Sequence, residues 1–118
     1  MKTIIAGSRS IEDADVVNNA IISAPFLVTE VVSGTARGVD KLGELYGELY
    51  DLPIHRFPAQ WNKYGKSAGY LRNEEMADNA DALIAIWDGK SRGTMHMITI
   101  ARRKGLVVHI HKTMETEL

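Results

Sequence analysis

Apolar residues gather into five short runs rich in β-branched side chains, at residues 3–6, 27–32, 54–57, 82–87 and 106–110. Runs of this length and composition predict strands. The longer stretches between them carry apolar residues at helical spacing, so the pattern alternates β and α. Because the runs are apolar on both faces, they predict strands buried within a parallel sheet. The expected fold is therefore α/β: a single Rossmann-like three-layer domain around a mostly parallel five-stranded sheet of order 3-2-1-4-5.

The helices have readable starts and stops. Ser10-Ile-Glu-Asp13 resembles a capping box, and Ile11, Ala14, Val17, Ala20 and Ile21 fall on one face, which predicts a first helix starting at Ser10. A second is expected over 39–50, with Leu42, Leu45, Tyr46 and Leu49 inward, ending before Leu52-Pro53. A third is expected over 70–79. A fourth is expected over 94–104, stopped by Gly105 as a left-handed C-cap. Residues 58–69 are left as one long irregular segment, which is unusual in a small domain and points to function.

Composition narrows the classes. At 118 residues the chain has the length of one domain, so one site is expected. Lys and Arg number 14 against 15 for Asp and Glu, which does not announce a polyanion partner; nucleic acid is disfavoured rather than excluded. There is no cysteine, which removes disulfides, thiol catalysis and zinc–thiolate sites. The first apolar run is too short for a signal peptide and no run reaches the length of a membrane span, so a cytoplasmic protein without a membrane partner is expected.

The strand order places the loops after strands one, two and four on the same carboxyl edge. They are Gly7-Ser8-Arg9, Ser33-Gly34-Thr35-Ala36-Arg37-Gly38 and Asp88-Gly89-Lys90-Ser91-Arg92-Gly93-Thr94. Each combines glycine, a hydroxyl and arginine. Glycine lets the backbone approach a phosphate, helix N-terminal amides supply donors and arginine supplies a bidentate fork. Singly each loop reads as an ordinary turn; together they predict an anion site. Neither G-x-G-x-x-G nor G-x-x-x-x-G-K-[ST] is present, which disfavours ordinary dehydrogenases and P-loop NTPases.

The segments IIAGSRS (4–10), VVSGTARGVD (31–40), YGKSAGYLRNEEMADNADALIAIWDGKSRGT (64–94) and ARRKGLVVHI (101–110) together resemble the SLOG superfamily. This is the Rossmann-like domain shared by the DNA-processing protein DprA (Smf) and the LOG nucleotide hydrolases; within it the chain looks most like the small YspA-type (YpsA-related) family. SGTARGVD is similar to the S-G-x-A-x-G-[IV]-D of DprA, and Arg72-Asn73 to its R-N element at the start of a helix. The turn from Ser91 to Thr94 stands where the superfamily keeps a phosphate-binding loop. The resemblance implies a nucleotide or nucleotide-derived ligand, such as an ADP-ribose derivative or nucleoside phosphate, with no further cofactor required, and a homo-oligomer, dimer or tetramer. The LOG motif P-G-G-x-G-T-x-x-E ends in a glutamate that takes part in glycosidic cleavage. Aligned on Gly93-Thr94, this chain has Met97 there, which puts hydrolysis by that mechanism in doubt and leaves Asp40, Glu74 and Asp88 as the nearest carboxylates.

Individual residues keep two readings. Arg9 and Arg37 either fork onto a phosphate or sit in solvent. Asp40 either holds a ribose hydroxyl or serves the start of the second helix, and Asn73 either orients a ligand or anchors a loop. Trp61 and Tyr64, interleaved with Lys63 and Lys66, either stack a base or plug the sheet edge. His109 and His111 have strand spacing but no third ligand, so they are read as surface or edge packing, and no metal site is expected; His96 is the one histidine near the ligand loops. Met95, Met97, Ile98 and Ile100 read as core or as a subunit contact. Three functions follow in order: a nucleotide-binding sensor or carrier, a phosphoribohydrolase-like enzyme with a relocated carboxylate, and a DprA-like single-strand DNA binder.

Overall fold

A computed structural model describes residues 1–113. Its strands are β1 (Lys2–Gly7), β2 (Glu30–Ser33), β3 (Ile54–Arg56), β4 (Ala82–Trp87) and β5 (Val107–Lys112), and its α-helices are α1 (Ala14–Ser23), α2 (Val39–Leu49), α3 (Trp61–Tyr64), α4 (Ala68–Asp78) and α5 (Arg92–Arg103). The strands form one sheet of order β3-β2-β1-β4-β5, as the pattern predicts, and every pairing is parallel. Ile4 of β1 sits opposite Val32 of β2 and Leu83 of β4, so the central strand is paired along both edges.

Strand alternation divides the core into two layers. Ile5, Val31, Ile84 and Ile86 pack with Val17, Ala20 and Ile21 of α1 and Val39 of α2. Ile4, Val32, Leu83 and Ala85 point the other way, against Met76 and Ala77 of α4 and Met97, Ile98, Ile100 and Ala101 of α5. Met97, Ile98 and Ile100 are thus core residues, and of that group only Met95 is exposed. Among the described residues no helix is long and apolar enough to cross a membrane, and no group of His, Asp and Glu could hold a metal ion. His109 Nε2 lies 3.2 Å from Ser23 Oγ.

Several boundaries differ from the sequence expectation. The first helix is capped by Asp13, which accepts from the Asp15 N–H at 2.9 Å, and not by Ser10. Leu27 lies outside β2 and is 76% exposed, because its carbonyl receives the N-terminal ammonium (2.6 Å) before the ladder begins. On α2, Leu45 and Leu49 face outward rather than inward, and Gly43 and Gly47 face the sheet. A Cβ on Gly43 would stand 2.8 Å from Ile5 Cγ2, and one on Gly47 2.8 Å from Ile54 Cγ1, so side-chain-free positions let α2 sit directly on the strands. The 58–69 segment is not irregular: α3, a 3-10 turn over Gly65–Ser67 and the first residues of α4 occupy most of it. α4 and α5 each begin two residues earlier than expected. Gly105, at φ 80°, follows α5 in the left-handed conformation anticipated for it.

Candidate ligand-binding cleft at the carboxyl edge of the sheet

The loops leaving β1, β2 and β4 meet at one edge, and two close approaches hold them there. A Cβ on Gly7 would stand 2.1 Å from the Ile86 carbonyl oxygen, so β1 and β4 can lie this near only with glycine at that position. Gly38 has φ 78°, and a Cβ there would stand 2.6 Å from the carbonyl oxygens of Ser8 and Arg9. The first two loops therefore touch through backbone, at a conformation only glycine adopts freely.

The β2 loop is shaped from beneath. Ser33 is buried and its hydroxyl donates to Glu44 Oε2 at 2.6 Å, while accepting from the Thr35 N–H at 3.0 Å. Arg56 Nε donates to the other oxygen of Glu44 at 2.8 Å. Burial raises the Glu44 pKa, but the hydrogen bonds from Ser33 and Arg56 outweigh it and hold the carboxyl below its ordinary range. This anchor lets Thr35 keep φ 64°, a strained value for a β-branched residue. The β4 loop is closed by Asp88, which accepts from the N–H groups of Ser91 and Lys90, both at 2.8 Å; these bonds hold its carboxyl below the usual range. Ser91 then caps α5, accepting from the Thr94 N–H at 3.4 Å. The buried Ser8 hydroxyl lies beside Asp88 without a hydrogen-bond partner among the described residues.

Two cavities open between these loops and the wall made by α3 and α4. The inner one, about 360 Å³, is lined by Gly7, Arg9, Asp40, Trp61, Arg72, Asn73, Ser91, Gly93 and Thr94 of the expected site. The outer one, about 440 Å³, is lined by Gly34, Thr35, Arg37 and, again, Arg9, Trp61 and Arg72. Ser8, Ser33, Gly38, Asp88, Gly89, Arg92, Tyr64 and Glu74 line neither. Of these, Ser33, Gly38 and Asp88 shape the loops, Tyr64 and Arg92 are exposed, and Glu74 lies on the exposed side of α4. Asp40 is thus the one of the three carboxylate candidates that reaches the cleft. Lys66, one of the two lysines interleaved with Trp61 and Tyr64, also lines it, as do Tyr70, Met76 and Met97; Tyr70 and Met76 were not anticipated as site residues. Lys66 lies in the 58–69 segment whose local structure the apolar pattern missed, whereas Tyr70 opens the helix expected over 70–79. Glu44 was missed as well, though an acidic residue four positions after Asp40 falls on the same helix face.

Over 117 aligned positions, covering 91% of this chain and 93% of the relative, the sequence is 32% identical to the Gene 61 protein of Mycobacterium phage D29. The chain belongs to the Gene 61 protein family. No family model matches it, and no solved structure gives a significant match.

In this member of the Gene 61 family the cleft's electrostatics centre on Arg72 and Asp40. Arg72 Nη1 donates to the Gly34 carbonyl and Nε donates to Asn73 Oδ1 at 3.1 Å. Asn73 Nδ2 reaches Gly93 O (3.4 Å) and His96 Nδ1 (3.1 Å), so one amide ties the arginine to the start of α5. The His96 ring lies against Tyr70 at 4.4 Å between centroids, and burial holds its imidazole below the ordinary range. Asp40 is 5% exposed and accepts from the Ala36 N–H at 3.2 Å. Burial pushes its pKa from 3.8 up to about 6, against the opposing pull of that bond and of Arg72 and Arg9.

The Asp40 shift predicts a pH signature. The folded carboxyl has the higher pKa, so its favourable contribution is full below about pH 3.8 and is lost as pH rises to about 6. At 1.36 kcal/mol per unit the total change is about 3 kcal/mol. Compared with Asp40→Asn, the wild type should lose about that much relative stability between pH 4 and pH 7, read as the difference between paired thermal melts. A constant gap across that range would remove Asp40 as a buried, proton-binding carboxyl.

Proposed function

We propose that this chain binds a nucleotide or nucleotide-derived ligand in the carboxyl-edge cleft, as a sensor or carrier. The observation that supports this most is the convergence of Arg9, Arg37 and Arg72 from separate parts of the chain on two adjoining cavities, the outer one lined by the whole 34–37 loop and the inner one by its Ala36. Guanidinium forks with loop backbone alongside suit phosphate oxygens. Trp61 and Tyr70 at the mouth, 50% and 49% exposed, offer flat apolar faces for a base. This reading agrees with what the SLOG resemblance implies. The test is calorimetry against mono- and diphosphates of the four common ribonucleosides at about 50 mM salt. Micromolar binding weakened at least tenfold by Arg9→Ala supports the reading, and no binding across the panel defeats it. A steep salt dependence with single-stranded oligonucleotide, in the absence of mononucleotide binding, would turn the assignment to nucleic acid.

A second reading, hydrolysis of a nucleotide, has one observation in its favour. Asp40 is a carboxyl in the cleft with its pKa pushed up to about 6, near the range a general acid needs. It predicts release of free base from nucleoside monophosphates, abolished in Asp40→Asn. Met97, 1% exposed and packed in the core, offers no acid–base group at the position the LOG motif gives to glutamate.

A further inference from the structure

Four cations, Arg9, Arg37, Lys66 and Arg72, line the two cavities, against the single carboxylate of Asp40. The whole chain carries a net charge of −1, so positive charge is concentrated at the cleft against the molecule's own balance. The cavities are also not independent. They share Arg9, Ala36, Trp61 and Arg72 as a common wall, and each has cationic lining of its own beyond it: Lys66 on the inner side, Arg37 on the outer.

A lone monophosphate would occupy one cavity and leave the cation of the other facing water. Two phosphoryl groups joined through one bridging oxygen would place one in each cavity, with both shared arginines able to reach across the bridge. A separate hollow lined by Ala59, Gln60, Trp61, Asn62 and Lys63 adjoins the outer cavity, sharing Ala59 and Trp61 with it.

We infer that the ligand is recognised through a diphosphate group, one phosphoryl in the inner cavity and the second in the outer cavity beside Arg37, on a nucleoside held at the inner end. This rests on the nucleotide-binding reading above and deepens it. The same chemistry occurs as a terminal diphosphate or as a diphosphate bridge carrying a further sugar.

The test compares AMP, ADP and ADP-ribose by calorimetry at low salt, repeating the set with guanosine, cytidine and uridine mono- and diphosphates. The expected result is that the preferred base binds at least tenfold more tightly as its diphosphate than as its monophosphate. In Arg37→Ala, which alters an exposed side chain lining only the outer cavity, the diphosphate preference should collapse toward one while the thermal melt stays that of the wild type. ADP-ribose binding as tightly as ADP or more so assigns a bridged diphosphate; ADP alone showing the gain assigns a terminal one. Equal affinity for mono- and diphosphates overturns the inference and leaves nucleotide binding standing, as does a diphosphate preference that survives in Arg37→Ala. Failure of every nucleotide to bind removes both.

Discussion

Gly7→Ala is expected to lower the melting temperature by about 10 °C or more and to abolish ligand binding at temperatures where the wild type is fully folded. The added methyl would sit 2.1 Å from the Ile86 carbonyl oxygen and 2.8 Å from Val39 Cγ2. Neither neighbour yields cheaply. Ile86 belongs to the paired run of β4, and its carbonyl accepts the Ser8 N–H at 3.2 Å; Val39 is fully buried at the start of α2. Relieving the clash means parting β1 from β4 at the cleft edge. Overpacking of this kind costs about 3 kcal/mol, and for a domain of this size each kcal/mol moves the midpoint by about 3–5 °C. Gly93→Ala is the control, because a Cβ there meets nothing within 4 Å. It should melt within about 2 °C of the wild type. A Gly7→Ala protein that melts beside Gly93→Ala would show that the β1–β4 edge is looser than described.

What was legible in the sequence follows from how locally each feature is encoded. The β4 run 82–87 is apolar on both faces and lies inside the sheet between β1 and β5, so composition alone locates it, and the parallel order follows from the β/α alternation. Helix faces were harder. Leu45 and Leu49 form a plausible apolar stripe, yet α2 turns them outward because Ile5 and Ile54 fill the space that only Gly43 and Gly47 leave free. No periodicity of one helix reveals the shape of the strand surface beneath it. The cap at Asp13 rather than Ser10 is a choice between two acceptable capping residues three positions apart, settled by where the chain leaves the β1 loop.

The cleft shows the same division. The glycine–hydroxyl–arginine composition marks the three loops, and the fold brings them to one edge. Composition does not separate residues that face the cavity from residues that hold it up. Ser33, Gly38 and Asp88 carry the same motif signal as Gly34, Arg37 and Gly93, but they are spent on the Glu44 anchor, the contact with the β1 loop and the β4 turn. The α4 wall came through Arg72-Asn73 alone. Its neighbours Tyr70 and Met76 also line the cavity; both lie in the helix expected over 70–79, but the spacing of one helix does not reveal which of its faces meets the cleft.

Arg72→Ala is expected to cost about a hundredfold in affinity for the nucleotide that binds the wild type, the largest binding effect of any single cleft side chain. Arg72 lines both cavities and is held in place by the Gly34 carbonyl and Asn73 Oδ1, so its fork is already ordered before ligand arrives. A charge-assisted contact to phosphate is worth about 1.5–3 kcal/mol, and a preformed donor loses little entropy in making it. The same substitution removes the nearby cation that favours the ionised form of Asp40, so the Asp40 pKa should rise beyond about 6 and the pH window of the wild-type-against-Asn comparison should move upward with it. Arg72→Lys separates the two effects. A lysine keeps the charge and should restore much of the Asp40 titration, yet as a point charge it cannot hold Gly34 O, Asn73 and a phosphate in one plane, and affinity should stay depressed by tenfold or more. If lysine restored binding in full, the fork geometry would be irrelevant and simple charge would explain the cleft. If Arg72→Ala bound nucleotide like the wild type, the shared wall of the two cavities would have no part in recognition.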